Sequence, residues 1–282
     1  MPNPICPLCG QTLATGASPW RCPNGHCFDV ARQGYVNLLP VQQKHARHPG
    51  DTPAQVAARK RFLDAGFYAP IRDTALALLQ PHLPPRPSLL DAGCGEGYYS
   101  AALAQALHAE LWGVDISKDA VRYAAVRYRP GHWIAASAAH LPFPGGCFDA
   151  VLSLFALTMA EEFARVLRPG GLFLQVLAGE AHLLGLKRLI YPALLHRPKH
   201  PPIPAGFTLL EERELSFPFT LTAPQQIQDL LAMTPHYWRI TKAGAEAAAA
   251  QETLKDTAQV VFRLFRAAKE PNHAGETQAA GK

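Results

Sequence analysis

Apolar positions along the chain switch between two spacings, and the switch divides it. Behind Thr52-Pro53, Val56, Phe62 and Leu63 recur at helical spacing until Gly66 ends the run. A second helix is expected over 68–79, with Ile71, Ala75, Leu78 and Leu79 on its buried stripe; Pro81, Pro84, Pro85 and Pro87 then stop it. From 88 onward, short apolar runs alternate with helical patterns. Strands are expected over 88–92, 110–115, 133–137, 150–155 and 172–177, and helices over 99–107, 118–127 (capped by Ser117) and 161–167. Further strands at 215–222 and 259–265 flank a helix at 224–232. This alternation predicts an α/β fold: a seven-stranded, mostly parallel sheet with helices on both faces. Residues 1–40 and 41–87 stand ahead of it as a small module and a connector, proline-rich 179–205 reads as an insertion or lid, and polar 269–282 as a disordered tail.

The pattern is most informative at Leu89-Leu90-Asp91-Ala92-Gly93-Cys94-Gly95-Glu96-Gly97-Tyr98-Tyr99. An apolar run ends in an acid, three glycines follow at alternate positions, and a helix begins. Such βα turns let a nucleotide lie against bare backbone. Dinucleotide-binding turns run Gly-x-Gly-x-x-Gly, whereas here Asp91 leads and the glycines are evenly spaced. A carboxylate there repels a pyrophosphate and attracts a sulfonium or ammonium. The next strand ends in Asp115, where a carboxylate can accept both ribose hydroxyls. Leu141-Pro142-Phe143, Cys147-Phe148-Asp149 and Arg165-Val166-Leu167-Arg168-Pro169-Gly170-Gly171 follow in order. Together these resemble class I (Rossmann-like) S-adenosylmethionine-dependent methyltransferases over about 88–266.

Composition sharpens the start of the chain. Its 282 residues carry a net charge of +5, compatible with an acidic partner such as RNA. No apolar run is long enough for a membrane span, and Met1-Pro2-Asn3-Pro4 does not open a signal peptide, so a cytoplasmic location is expected. Disulfides are then not expected, and the six cysteines need another reason. Cys6-Pro7-Leu8-Cys9 and Cys22-Pro23-Asn24-Gly25-His26-Cys27 form two turns that together can close a tetrahedral zinc site. Spacing leaves the fourth ligand open between His26 and Cys27. Trp20, Phe28 and Tyr35 are candidates for the module's small core or for a surface that stacks on bases.

The text around these turns is more specific. Cys6-Pro7-Leu8-Cys9, Cys22-Pro23, the run from Phe28 to Pro40, Pro49-Gly50-Asp51, the run from Phe62 to Tyr68, Asp91 to Tyr99 and Met233-Thr234-Pro235 resemble the 23S rRNA guanine-N1 methyltransferases. The resemblance spans the chain to about Ala268. It implies Cys6, Cys9, Cys22 and His26 as zinc ligands. It implies cofactor contacts at Tyr68, Asp91, Gly93, Gly95, Gly97, Tyr98, Asp115 and His182. It also implies 23S rRNA as substrate, methylated at N1 of a specific guanine in a hairpin, and a homodimer that forms an RNA cleft. Two departures stand out: Phe155-Ala156-Leu157 where the family carries aromatic-Ala-Pro, and His48 where an acid is common.

Guanine N1 is paired and protonated in a helix, so the base must be unpaired and its proton must leave. No general base is singled out; His182, Glu180 and His140 are candidates near the pocket, and Arg32, Lys44, Arg47, Arg59 and Lys60 are candidate phosphate contacts. Three other readings stay open: the same chemistry on a neighbouring guanine linked to macrolides such as tylosin, a small-molecule methyltransferase, and an RNA-binding protein without catalysis.

Overall fold

The computed structural model describes residues 2–43, 49–194 and 201–268. Lys44, Arg47 and His48, and the tail expected over 269–282, lie outside the described residues. The elements run β1 (Trp20–Arg21), β2 (Cys27–Phe28), β3 (Tyr35–Asn37), α1 (Pro53–Asp64), α2 (Ala69–Leu79), β4 (Ser88–Ala92), α3 (Tyr98–Leu107), β5 (Glu110–Asp115) and α4 (Lys118–Arg127). Then come β6 (His132–Ala135), β7 (Phe148–Leu154), α5 (Ala160–Val166), β8 (Leu167–Ala178), α6 (Leu184–Ile190), β9 (Phe207–Leu221), α7 (Pro224–Ala232), α8 (Lys242–Ala249) and β10 (Leu254–Ala267).

The main sheet has the order β3-β6-β5-β4-β7-β8-β10-β9. Six strands are parallel; β10 runs antiparallel to both of its neighbours. Strand order reverses between β4 and β7, and open α/β sheets bind ligands in the crevice beyond the strand ends at such a point. The expected seven strands become eight because β3, read in sequence as part of the zinc module, pairs in parallel with β6 through Tyr35↔Trp133 and Asn37↔Ala135. Alternate strand residues feed two cores. Leu89, Ala150 and Leu174 face one layer with α2, α6 and α7; Leu90, Val151 and Phe173 face the other, where Cys6, Leu13 and Trp20 of the N-terminal module also pack.

Three expectations need correction. β9 is fifteen residues long, starting eight residues before the expected strand, because its Glu211-to-Glu214 stretch is charged where one face of an edge strand meets solvent. α8 was not expected; Thr241 caps it by accepting from Gly244 N at 3.1 Å. In the segment read as a lid, Leu183, Leu186 and Ile190 are buried in the main core, so α6 belongs to the body of the fold.

Candidate functional site

The glycine turn joins β4 to α3 at the crevice. Gly93, Gly95 and Gly97 all have positive φ (93°, 54° and 84°), which a side chain disfavours. Their neighbours differ. A Cβ on Gly93 would lie 2.5 Å from Ala156 Cβ, so the methyl of the loop after β7 fills the space that a side chain on the turn would need. A Cβ on Gly97 would lie 2.6 Å from the Trp133 ring, so this glycine serves packing. Trp133 also lies over Gly113 and Gly131, and donates from its indole nitrogen to Tyr128 O at 3.0 Å.

Carboxylates crowd the turn. Asp115 Oδ2 accepts from Gly95 N at 2.8 Å and Oδ1 from Ser117 N at 2.7 Å, which fixes the carboxylate and leaves each oxygen a further lone pair. Asp91 is buried, and its Oδ1 has no hydrogen-bond partner among the described residues. Burial pushes Asp91 up to about 7; the nearby Ser100 hydroxyl opposes this, and Asp115 and Glu96 add to it. Burial likewise pushes Glu96 up to about 7 against the pull of Arg59. It raises Asp115 too, against the two backbone amides.

Arg59 corrects the expectation of a phosphate contact. Its guanidinium turns inward to pair with Asp51, stands 4.0 Å from Glu96 and donates to Met233 O at 3.3 Å. Burial opposes its charge, but Asp51, Glu96 and Asp115 more than offset that. From the same helix, Gln55 Nε2 donates to Ala232 O at 3.3 Å, and Arg61 holds Asp229 through two bonds of 2.9 and 2.6 Å. Ser117 Oγ donates to Asp51 O at 2.7 Å. The connector is thus tied both to the cofactor strand and to the end of α7. This gives Pro-Gly-Asp and Met233-Thr234-Pro235 a structural reason. Lys60 pairs with Asp64 at 3.0 Å, and Arg32 is exposed.

Beyond β4 and β7 lies an aromatic group. Tyr68 OH and His182 Nε2 approach to 3.4 Å, both buried, and burial raises the Tyr68 phenol well above its usual range. Phe155 packs beside Tyr68, Tyr99 and His182, with ring centroids 6.4, 6.4 and 6.1 Å away. Tyr98 points elsewhere, against Tyr99 and under the Arg72 guanidinium. Of the proposed bases, Glu180 and His140 are exposed, and His182 is enclosed by this group.

The cradle fits S-adenosylmethionine on its own evidence. Gly95 leaves bare backbone with only Arg59 Nη1 near, the buried Asp91 carboxyl leads the turn with its Oδ1 unpaired, Asp115 keeps a lone pair on each oxygen at the end of the next strand, and the cluster of carboxyls suits a cationic ligand.

The N-terminal module fits zinc equally well. Cys6 O accepts from Gly10 N at 2.8 Å and Cys22 O from Gly25 N at 3.0 Å, folding two matching turns. Positive φ at Gly10 and Gly25 closes each. The donor atoms of Cys6, Cys9, Cys22 and His26 lie within 4.8 Å of one another, with Cys9 Sγ to Cys22 Sγ at 3.7 Å and Cys22 Sγ to His26 Nδ1 at 3.3 Å. A tetrahedron with zinc–sulfur bonds of about 2.3 Å has edges of roughly 3.8 Å. Cys27 turns away, its exposed thiol donating to Gly25 O at 3.3 Å, so geometry settles the fourth ligand as His26. Trp20 and Tyr35 are buried, which makes them core; Phe28 is half-buried.

The RlmA N-terminal zinc ribbon family matches residues 5–47, and a methyltransferase-domain family matches 90–175. A provisionally named 23S rRNA (guanine-N(1)-)-methyltransferase of Micromonospora griseorubida is 39% identical over 207 residues, covering 66% of this chain and 69% of its own. Another of the same provisional name, from Bacillus subtilis, is 32% identical over 255 residues, covering 84% and 87%. The 23S rRNA (guanine(748)-N(1))-methyltransferase of Streptomyces fradiae is 39% identical over 187 residues, covering 64% and 65%.

Proposed function

The chain belongs to the 23S rRNA (guanine-N1)-methyltransferase family, and from that premise we propose that it methylates N1 of one guanine in a 23S rRNA hairpin. It is an S-adenosylmethionine-dependent methyltransferase with a structural zinc ribbon. The observation that carries the reading is the pairing, in one chain, of a zinc-ligand set in an N-terminal ribbon with a carboxylate-led glycine cradle on the main sheet.

Bound S-adenosylmethionine supplies an electrophilic methyl group, and the products are N1-methylguanine, S-adenosylhomocysteine and a proton. The residues of this chain hold and orient. Asp115 would hold the ribose by accepting from its hydroxyls, Asp91 and Glu96 would supply negative charge that favours a cationic ligand, and the glycine turn would let the ligand approach its backbone. Tyr68 and His182 close the cradle against water. Alignment is the main source of rate in such a transfer. The ribbon and connector, with Arg32 exposed, present the surface that selects RNA. None of the described helices is long and apolar enough to cross a membrane, and an rRNA substrate supports a cytoplasmic location. Homodimerisation rests on the family resemblance alone; light scattering of the zinc-loaded protein tests it.

A second reading keeps the chemistry and moves the nucleotide, since one relative is named for guanine 748. Transfer of labelled methyl from S-adenosylmethionine to hairpin RNA, followed by digestion and mapping, tests both. Label at N1 of one guanine is expected; label on no RNA contradicts the proposal.

A further inference from the structure

We propose that Phe155 is the platform on which the target guanine stacks, a role that rests on the function proposed above. The residue follows β7 directly, at the point where strand order reverses, and its neighbour Ala156 is the residue that Gly93 meets. Whatever stacks on Phe155 therefore stands next to the cofactor turn.

Three features set Phe155 apart from an ordinary surface aromatic. Its backbone is left-handed, with φ of 56°, a conformation that a bulky residue enters only under strain. That strain is held in place: Phe155 N donates to Val176 O at 2.9 Å, Ser153 Oγ to Ala156 O at 3.4 Å, and Gln175 Nε2 to Thr158 Oγ1 at 2.7 Å. The ring is 41% exposed even so, at a place where the same chain buries Tyr68 and His182. The hydrogen bonds hold it up, and the His182 ring lies beneath it at an interplanar angle of 30°.

A flat apolar face, supported from below and open above, at the mouth of a methyl-donor cradle, fits a flat aromatic ligand. A guanine swung out of its helix is such a ligand. Stacking satisfies its face while leaving the N1 edge free to point at the donor. Because stacking reads no base edge, Phe155 holds the base and leaves the choice of nucleotide to other contacts.

The test uses full-length, zinc-loaded protein and a hairpin RNA carrying the mapped guanine. Phe155→Leu is expected to lower kcat/KM for RNA by about 10- to 100-fold, the range that loss of one base–aromatic stack supports, while the calorimetric affinity for S-adenosylmethionine stays within about twofold. Phe155→Tyr keeps the ring and should stay within about threefold of native activity. Phe155→Gly accepts the positive φ without strain, so its melting temperature should hold within a few degrees while activity falls, a split that a packing role alone would not produce. Native-like methylation by Phe155→Leu, or cofactor affinity falling in parallel with activity, overturns the stacking role. Native protein that methylates no RNA overturns the functional reading and this inference with it.

Discussion

The zinc ribbon and the cofactor cradle are both prepared for a positively charged ligand, and they are prepared in opposite ways. In the ribbon, four donor atoms already converge at the spacing of a tetrahedral ion, and the ribbon's own first thirty residues contribute few buried apolar side chains besides Leu13 and Trp20. In the cradle, extensive packing by Trp133, Leu90 and Val114 holds the frame rigid, and the charges within it are mutually unfavourable. Asp51, Glu96 and Asp115 share the Arg59 guanidinium, and Asp91 faces Asp115 and Glu96. On this difference the ribbon should depend on its ligand for structure, while the cradle should keep its structure and hold an electrostatic preference for its ligand. That difference ranks the effects of perturbing each.

Zinc removal should have the largest effect. Structural zinc contributes apparent binding free energies of about 10–16 kcal/mol in isolated zinc-finger peptides, far more than this ribbon's small core can replace. Chelation, or Cys6→Ser, should abolish amide protection over residues 4–30 in hydrogen exchange while β4, β7 and β8 stay protected. A ribbon that keeps its protection without metal would break the comparison.

Asp115→Ala comes next. It removes the carboxylate that we propose accepts from the ribose, and it frees Gly95 N and Ser117 N. Loss of charge-assisted bonds of this kind costs about 2–4 kcal/mol, so calorimetry should show cofactor affinity falling by roughly 30- to 1000-fold. The melting temperature should change far less than affinity if the cradle is rigid.

Gly97→Ala tests that rigidity directly. A methyl group 2.6 Å from the Trp133 ring, on a backbone with φ of 84°, should cost about 1–3 kcal/mol of stability, read as a lower denaturant midpoint. A neutral result would mean that the frame yields.

These expectations also mark what was legible. The acid-led glycine turn, Asp115 and the paired cysteine turns are short-range patterns, and each can be read from a few neighbouring residues. Spacing alone left His26 and Cys27 open; the family resemblance implied His26, and the second turn points that side chain inward. β3 is three residues long and gains its identity from pairing with β6, which no local pattern carries. The Arg59 contacts join residues as far apart as 174 positions, so a basic triplet on a helix looked like a phosphate surface when one member of it is a half-buried, inward-turned clamp. Phe155 could be noticed as an aromatic after a strand, but its left-handed backbone is a consequence of tertiary hydrogen bonds.

A smaller effect concerns pH. Burial holds Asp91 and Glu96 near 7, above the unfolded carboxylate value. In the ligand-free protein their contribution to stability is therefore full below that unfolded value and is lost as pH rises through about 7. A cationic ligand favours their charged forms, so binding should release protons and strengthen as pH rises, by up to about tenfold for each proton released per pH step of one. Asp115, Asp51, Cys94 and Arg59 face the same pair and shape the curve. Calorimetry from pH 6 to 8 in buffers of different ionisation enthalpy should show proton release. Binding that weakens as pH rises would contradict the charge account. Smallest of all, Lys60→Ala breaks only an exposed pair with Asp64 and should change stability by less than about 0.5 kcal/mol, read as an unchanged denaturant midpoint.

The central claim is that both sites serve one reaction on ribosomal RNA. Its most direct test is mass-spectrometric mapping of N1-methylguanine in 23S rRNA from cells lacking this protein, with and without the native chain restored. The account predicts one N1-methylguanine in a hairpin that disappears on deletion, returns with the native chain and does not return with Asp115→Ala. An unchanged methylguanine map in the deletion strain would contradict it.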